Sequence, residues 1–356
     1  MSVLREAWKM RRSRNAGAPT RAALTLALWV FAGPAVAADA TLQSAAALSG
    51  RYFGAALDPD DFDEKPYVQL ATEQLGAVTP ENQMKWAVVE PTRGVFNWRA
   101  ADKLVAFAKA NGQKIRGHNL VWHSQLPPWL IGGAFTPMEL RQLMIDHIAL
   151  EVGRYKGAIY AWDVVNEPFT DDGAWSTSLW QQAMGTDYVE IALRAARAAD
   201  PQAKLYINDY NVESTGAKMR ALYDLVVSLK RKSAPLDGVG FESHFVAGQT
   251  PDDLREVMHA FADLDVDVAV TELDVRIKMP PDAKSLGAQA ADYAKAIGAC
   301  LAVKRCVGVS TWGITDDHSW IPSFFSGYGA ALPFDENYKP KPAFLAAINA
   351  FIRGAR

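Results

Sequence analysis

Two glutamates stand apart from the other acidic side chains of this 356-residue sequence. Glu167 follows Asn166 in the stretch Trp162-Asp163-Val164-Val165-Asn166-Glu167-Pro168, and Glu272 interrupts the run 267–275, most of whose other residues are apolar. Cleaving a glycosidic bond needs two carboxyl groups with different duties. One holds a proton for the leaving oxygen, and the other is ionised beside the anomeric carbon. Either glutamate alone also fits a structural role as an ion-pair or cap partner, so the pairing matters only if folding brings the two together. Around them are residues suited to a sugar cleft. Trp86, Trp122, Trp312 and Trp320 offer flat faces for sugar rings, although each also fits core packing. Asn82, Lys85, His118 and Asn166 offer hydrogen-bond donors. Glu242 and His244 are two apart, as are Glu272 and Asp274, so on strands each pair shares a face. A contact from His244 would orient Glu272 and favour its ionised form; a satisfied core histidine is the plain alternative. His118 and His123, five apart, are expected to point oppositely on a strand and so not to share a metal. Asp316-Asp317-His318 are consecutive and poorly placed to converge on an ion.

These side chains need a frame. Strand-like runs occur at 51–57, 76–80, 114–122, 159–166, 204–209, 238–245, 267–275 and 306–313. Amphipathic segments at 66–75, 99–111, 138–155, 186–199, 215–231, 251–263, 287–303 and 341–353 separate or follow them. Thr136-Pro137 and Thr250-Pro251-Asp252 read as helix starts. Eight alternating units predict an α/β fold, a single (β/α)8 TIM barrel, with an open doubly wound sheet as the alternative. No GxGxxG follows the first strand, which argues against a dinucleotide fold. The polar residues named above fall at the C-terminal ends of strands. The long aperiodic stretches 123–137, 167–185 and 314–338 also follow strands, where a barrel builds its active site.

The composition is globular, with 49% hydrophobic and 22% charged residues. Residues 1–21 carry six basic side chains and one acid, and Ala22–Val36 is apolar and ends near Ala35-Val36-Ala37. This predicts a secretory signal peptide over residues 1–37. A membrane anchor is the alternative, though the run is short of the ~20 residues a spanning helix needs. Residues 38–356 form the expected catalytic domain, secreted or periplasmic, with no membrane attachment once the signal is removed. Without residues 1–37 the balance is 31 basic against 39 acidic residues, a net charge of −8. That excludes the basic footprint of a nucleic-acid binder and suits a neutral substrate. Cys300 and Cys306, with five residues between them, could form a disulfide in an oxidising compartment or stay as buried thiols. A ring this short would contribute about 2 kcal/mol. The absence of CxxC and of clustered Cys/His predicts no zinc site.

Seven stretches together resemble the family-10 glycoside hydrolases, the endo-1,4-β-xylanases: TPENQMKW (79–86), GHNLVWHSQLPPW (117–129), WDVVNEP (162–168), YINDYN (206–211), GVGFESHF (238–245), VTELD (270–274) and TWGITDDHSW (311–320). The resemblance spans about residues 45–352. It implies a retaining double displacement on β-1,4-xylan and xylo-oligosaccharides, with no cofactor and a monomeric enzyme. Glu272 matches the nucleophile and Glu167 the acid/base. Asn166 matches the partner of the sugar 2-hydroxyl. His244, with Asp274 behind it, matches the support of the nucleophile. Glu81, Asn82, Lys85, His118, Trp122, Gln125, Trp312 and Trp320 match glycone-side subsites, and Tyr210 an aromatic toward the leaving group. The family often carries a disulfide where Cys300 and Cys306 lie. Glu242 stands where the family usually has Gln, so like-charge repulsion is expected to raise the pKa of Glu272. Asn119 stands in place of the more usual Thr. The rival readings are the same chemistry on another β-1,4-glycan or on short xylo-oligosaccharides, and a catalytically silent sugar-binding barrel.

Overall fold

The computed structural model describes residues 40–355. The expected signal segment and its cleavage point lie outside them. Among the described residues, eight parallel strands form the barrel: β1 (Tyr52–Leu57), β2 (Ala77–Pro80), β3 (Lys114–Val121), β4 (Ala161–Asn166), β5 (Lys204–Asp209), β6 (Gly238–Phe241), β7 (Asp267–Lys278) and β8 (Cys306–Thr311). Each pairs with the next, and β8 closes on β1 through Tyr52 opposite Gly308. That closure rules out the open doubly wound sheet. The eight longest helices among the described residues pack outside: α1 (Lys65–Gln74), α2 (Arg99–Ala110), α3 (Pro137–Arg154), α4 (Tyr188–Ala199), α5 (Ala217–Arg231), α6 (Leu254–Ala262), α7 (Ala283–Ala302) and α8 (Pro342–Gly354). Among the described residues, no helix is long and apolar enough to cross a membrane.

Local chemistry sets several boundaries. The Thr136 hydroxyl accepts the Glu139 N–H while the Glu139 carboxylate accepts the Thr136 N–H, a reciprocal cap that starts α3 at Pro137. Helix α7 begins at Ala283, earlier than its apolar pattern predicted, because Asp282 and Ser285 cap each other. The sixth strand, expected as one run over 238–245, stops at Phe241. Ser243 then takes a left-handed backbone at φ 67° and gives its N–H to Glu213 Oε1 at 2.7 Å. A second short segment, His244–Val246, pairs with β7 beyond this turn. Strand β7 is twelve residues long and rises past the rim. Cys300 and Cys306 are joined, tying the end of α7 to the start of β8.

The barrel interior is filled rather than hollow. Trp162 lies across Gly117, where an added Cβ would come 2.2 Å from its ring. Beneath the site, Arg116 and Asp163 form a buried pair, with Arg116 Nε 3.0 Å from Asp163 Oδ2 and the guanidinium 4.4 Å above the Tyr206 ring. Burial works to raise the Asp163 carboxyl, but Arg116 and His118 outweigh it and hold it below its ordinary range. Each charge is therefore compensated where it is desolvated.

A second buried pair sits behind the barrel wall. His147 and Glu151 lie 3.3 Å apart on α3 with no exposed side-chain surface to speak of. Burial pushes His147 down to about 3, so its ring is neutral near pH 7, and drives Glu151 well above its ordinary value, toward the protonated form. Above pH 6.5 the folded state then holds a proton on Glu151 that the unfolded chain has lost. Stability should fall by up to about 1.4 kcal/mol per pH unit from this group. Glu151→Gln keeps the shape and needs no proton, so its melting temperature should hold between pH 7 and 9 while that of the unsubstituted protein declines. Parallel curves for the two proteins would mean that Glu151 is ionised in the fold.

Candidate active site

The C-terminal ends of the strands open into a cavity of about 610 Å³ lined by Glu167, Glu272, Asn166, Glu242, His244, Lys85, His118, Trp122, Gln125, Tyr210, Trp312 and Trp320. Thus most of the residues singled out from sequence converge. His123, Ser124, Asn211, Arg276, Phe324 and Phe325 complete the lining.

Glu167 sits just beyond β4 with a left-handed backbone at φ 51°. A side-chain-bearing residue there carries strain on the order of 1–3 kcal/mol. Two bonds hold it: the Glu167 N–H to the Asn208 carbonyl at 2.9 Å, and the Ser176 hydroxyl to the Glu167 carbonyl at 3.1 Å. The carboxylate accepts Trp122 Nε1–H at 2.8 Å and Asn166 Nδ2–H at 3.2 Å. Burial raises its pKa and the Glu272 charge adds to that; the Trp122 bond and His123 oppose without cancelling. Glu167 is therefore the carboxyl that tends to keep a proton.

Glu272 goes the other way. Burial would raise it too, but His244 and His118 outweigh burial and bring it below the ordinary value. His244 Nε2 lies 3.4 Å from Glu272 Oε2, and its Nδ1 lies 2.8 Å from Asp274 Oδ2. Trp320 Nε1–H donates to that same Asp274 oxygen at 2.9 Å. Burial disfavours charge on the His244 ring, yet Asp274, Glu242 and Glu272 hold its proton well above the usual range. The register explains the meeting, since His244 stands opposite Asp274.

Asn208 was not singled out from sequence and is the hub of the site. Its Nδ2 is 2.9 Å from Asn166 Oδ1, 3.0 Å from Glu242 Oε1 and 2.9 Å from Glu272 Oε1. Its Oδ1 accepts the Thr271 hydroxyl at 2.7 Å. Gly240 makes room for it, because a Cβ there would lie 2.1 Å from Asn208 Oδ1. The signal was available: Asn208 lies two residues from Tyr206 on β5 and so shares its inward face. Lys218 on α5 was missed as well. Its Nζ is 2.9 Å from Asp209 Oδ1 and 3.2 Å from the Tyr210 ring centre.

Three expectations need correction. First, Trp86 is not a rim platform. It is buried between His147, at 3.8 Å and 4° from parallel, and Trp180, at 5.2 Å and 7°. Second, His118 and His123 do not point apart. Strand β3 slips register between His118 and Val121 and then ends, so both rings reach the cavity, with His123 Nε2 3.8 Å from Glu167 Oε2. Third, the like-charge cost of Glu242 does not fall on Glu272. Burial, then the charges of Glu272 and Glu167, drive Glu242 itself well above its ordinary value. The Asn208 geometry agrees, since two N–H hydrogens cannot serve three acceptors at once. Glu81 and Asn82 stand just outside the cavity lining. Asn82 Oδ1 accepts Lys85 Nζ–H at 2.9 Å, and burial, reinforced by Asp58, pushes Glu81 up to about 7. Lys85 Nζ in turn lies 5.2 Å and 5.6 Å from the centres of the Trp122 and Trp312 rings.

Glu242→Gln tests this assignment. An ionised Glu242 would compete with Glu272 for the His244 and Asn208 donors. The variant should leave the acidic limb of kcat/KM in place and extend activity on the alkaline side. Superimposable pH profiles would make the third carboxylate electrostatically silent.

A barrel whose mouth sets an ionised carboxyl among proton-retaining ones, ringed by tryptophans, defines a glycoside hydrolase. Residues 41–350 match the family model Glycosyl hydrolase family 10, and the chain belongs to that family. It is 47% identical to endo-1,4-beta-xylanase A of Phanerodontia chrysosporium, covering 86% of this chain and 76% of that one. Xylanase 10B of Thermotoga petrophila, solved in complex with xylobiose, superposes with a TM-score of 0.87 at 38% identity, over 89% of this chain and 98% of that one. A glycosylated endo-beta-1,4-xylanase of Gloeophyllum trabeum superposes with a TM-score of 0.84 at 44% identity, over 88% and 99%.

Proposed function

We propose that the protein is an endo-1,4-β-xylanase that hydrolyses internal linkages of xylan with retention at the anomeric carbon. The observation that carries this reading is the opposed environment of the two glutamates in one cavity. Burial, with the Glu272 charge adding to it, leaves Glu167 inclined to keep its proton, while His244 and His118 keep Glu272 ionised. In the first step the Glu272 carboxylate bonds to the anomeric carbon. The Glu167 carboxyl gives its proton to the departing glycosidic oxygen, and the carbon–oxygen bond breaks. In the second, Glu167, now ionised, takes a proton from water, whose oxygen displaces Glu272 and restores both groups.

Asn166 serves the 2-hydroxyl of the attacked sugar, placed by Asn208. His244 and Asp274 steer the nucleophile. Lys85, His118, Trp122, Gln125, Trp312 and Trp320 bind the glycone side, with Glu81 and Asn82 behind Lys85, and Tyr210 faces the leaving group. Xylo-oligosaccharides are the bound ligands, in keeping with the xylobiose held by the Thermotoga petrophila relative. Residues 1–37 direct export, and residues 38–356 act as a secreted or periplasmic monomer.

Proton NMR of the earliest products from xylan tests the reading. The β-anomer should appear first and equilibrate later. Early α-anomer would overturn retention, and no new reducing ends, with activity appearing on carboxymethyl-cellulose instead, would overturn the substrate.

A further inference from the structure

Glu242, His244 and Glu272 offer one donor atom each, and these atoms all lie within 4.8 Å of one another. Nε2 of His244 is 3.5 Å from Glu242 Oε2 and 3.4 Å from Glu272 Oε2. A tetrahedral zinc ion with bonds of about 2.0–2.2 Å spans ligand-to-ligand edges of roughly 3.3–3.5 Å. Both measured edges fall at that length. The outer contacts are equally well placed. His244 Nδ1 meets Asp274 at 2.8 Å, which orients the ring with Nε2 toward the two carboxylates. Asn208 Nδ2 lies against Oε1 of both glutamates, and their Oε2 atoms are the ones that face the histidine. All three residues also line the cavity, which leaves a fourth position open to solvent.

We propose that these three side chains form a binding site for a divalent transition-metal ion of the zinc class, and that its occupation reversibly blocks hydrolysis. A glutamine at 242 could not supply a second carboxylate, so the site depends on this chain's Glu242. Imidazole with two carboxylates favours zinc over magnesium or calcium. Bound there, the ion takes the Glu272 oxygen that would otherwise reach the anomeric carbon. The blocking effect rests on Glu272 being the nucleophile; the binding does not.

A second cluster fits an ion less well. His318 directs Nδ1 at Asp61, 3.1 Å away, and Nε2 at Glu64, 3.3 Å away, so the two acids flank opposite ring nitrogens.

The full chain should be titrated with zinc chloride by calorimetry at pH 7. Cobalt(II) added to a parallel sample gives the visible d–d bands of a low-symmetry site. One ion per chain is expected. Glu242→Gln should weaken zinc binding by more than about tenfold and remove the cobalt bands, while His318→Asn should bind as the parent does. Zinc should also inhibit xylan hydrolysis at the concentration that fills the site, with EDTA restoring it and magnesium without effect. Equal zinc affinity in Glu242→Gln, or loss of binding in His318→Asn, overturns the site. Binding that follows Glu242 but leaves xylan hydrolysis untouched overturns the block and with it the role of Glu272. A protein inactive on xylan that still binds zinc through Glu242 separates the two claims.

Discussion

Glu272→Ala is expected to lower kcat on xylan by more than about 10⁴-fold, the scale that follows loss of a nucleophile. The fold should survive. Glu272 is buried at the mouth of β7, but its bonds are to side chains and not to the frame. Removing it also relieves Glu242, which would no longer face a charged neighbour. Far-UV and near-UV circular dichroism should match the parent, and the melting temperature should hold or rise. A variant that keeps more than a few per cent of turnover would remove Glu272 from the chemistry. A small external anion such as azide should enter the vacated space and restore turnover on an activated aryl xyloside, giving a product of inverted configuration. Rescue with retention would contradict the assignment.

Glu167→Ala should separate substrates by leaving group. General acid catalysis supplies about 10²–10⁴-fold. That contribution should be lost on xylan, whose leaving alkoxide needs a proton. A dinitrophenyl glycoside leaves without one, so its glycosylation step should be spared and the second step should limit instead. Burst kinetics on the aryl substrate would report the accumulated intermediate. Equal losses on both substrates would sink the acid role. Trp122→Phe gives a graded version of this test. Without the indole N–H, one of the interactions that lowers Glu167 is gone, so the alkaline limb should move upward.

The frame was legible because barrel strands and helices announce themselves by different periods. Strand β5 matches its expected span, Lys204–Asp209, end to end. The failures have local causes. The sixth strand looked continuous because Ser243 is an ordinary residue in composition, and nothing in its type announces a positive φ. Trp86 was read as a rim residue because it follows Lys85, which does reach the cavity. One residue further, the chain has already entered a helical turn that carries the ring inward. The proposed catalytic pair could be singled out from its setting, a glutamate in a mostly apolar strand and another after an asparagine. Asn208 offered only its inward place two residues from Tyr206, because its importance comes from partners on β4, just past β6 and on β7 that meet only when the sheet closes.

Strand β7 is long enough to carry residues on both sides of the rim, and alternate positions 272, 274 and 276 share its inward face. The proposed nucleophile, the anchor of its histidine and the cavity-lining Arg276 are thus graduations on a single stiff rod. Trp320, Phe324 and Phe325 arrive instead on the segment after β8. Exchange of Phe324 and Phe325 can therefore alter the cavity wall while Trp320, bonded to Asp274, stays with the support of Glu272, which makes the tip of this loop the place to graft new glycan selectivity.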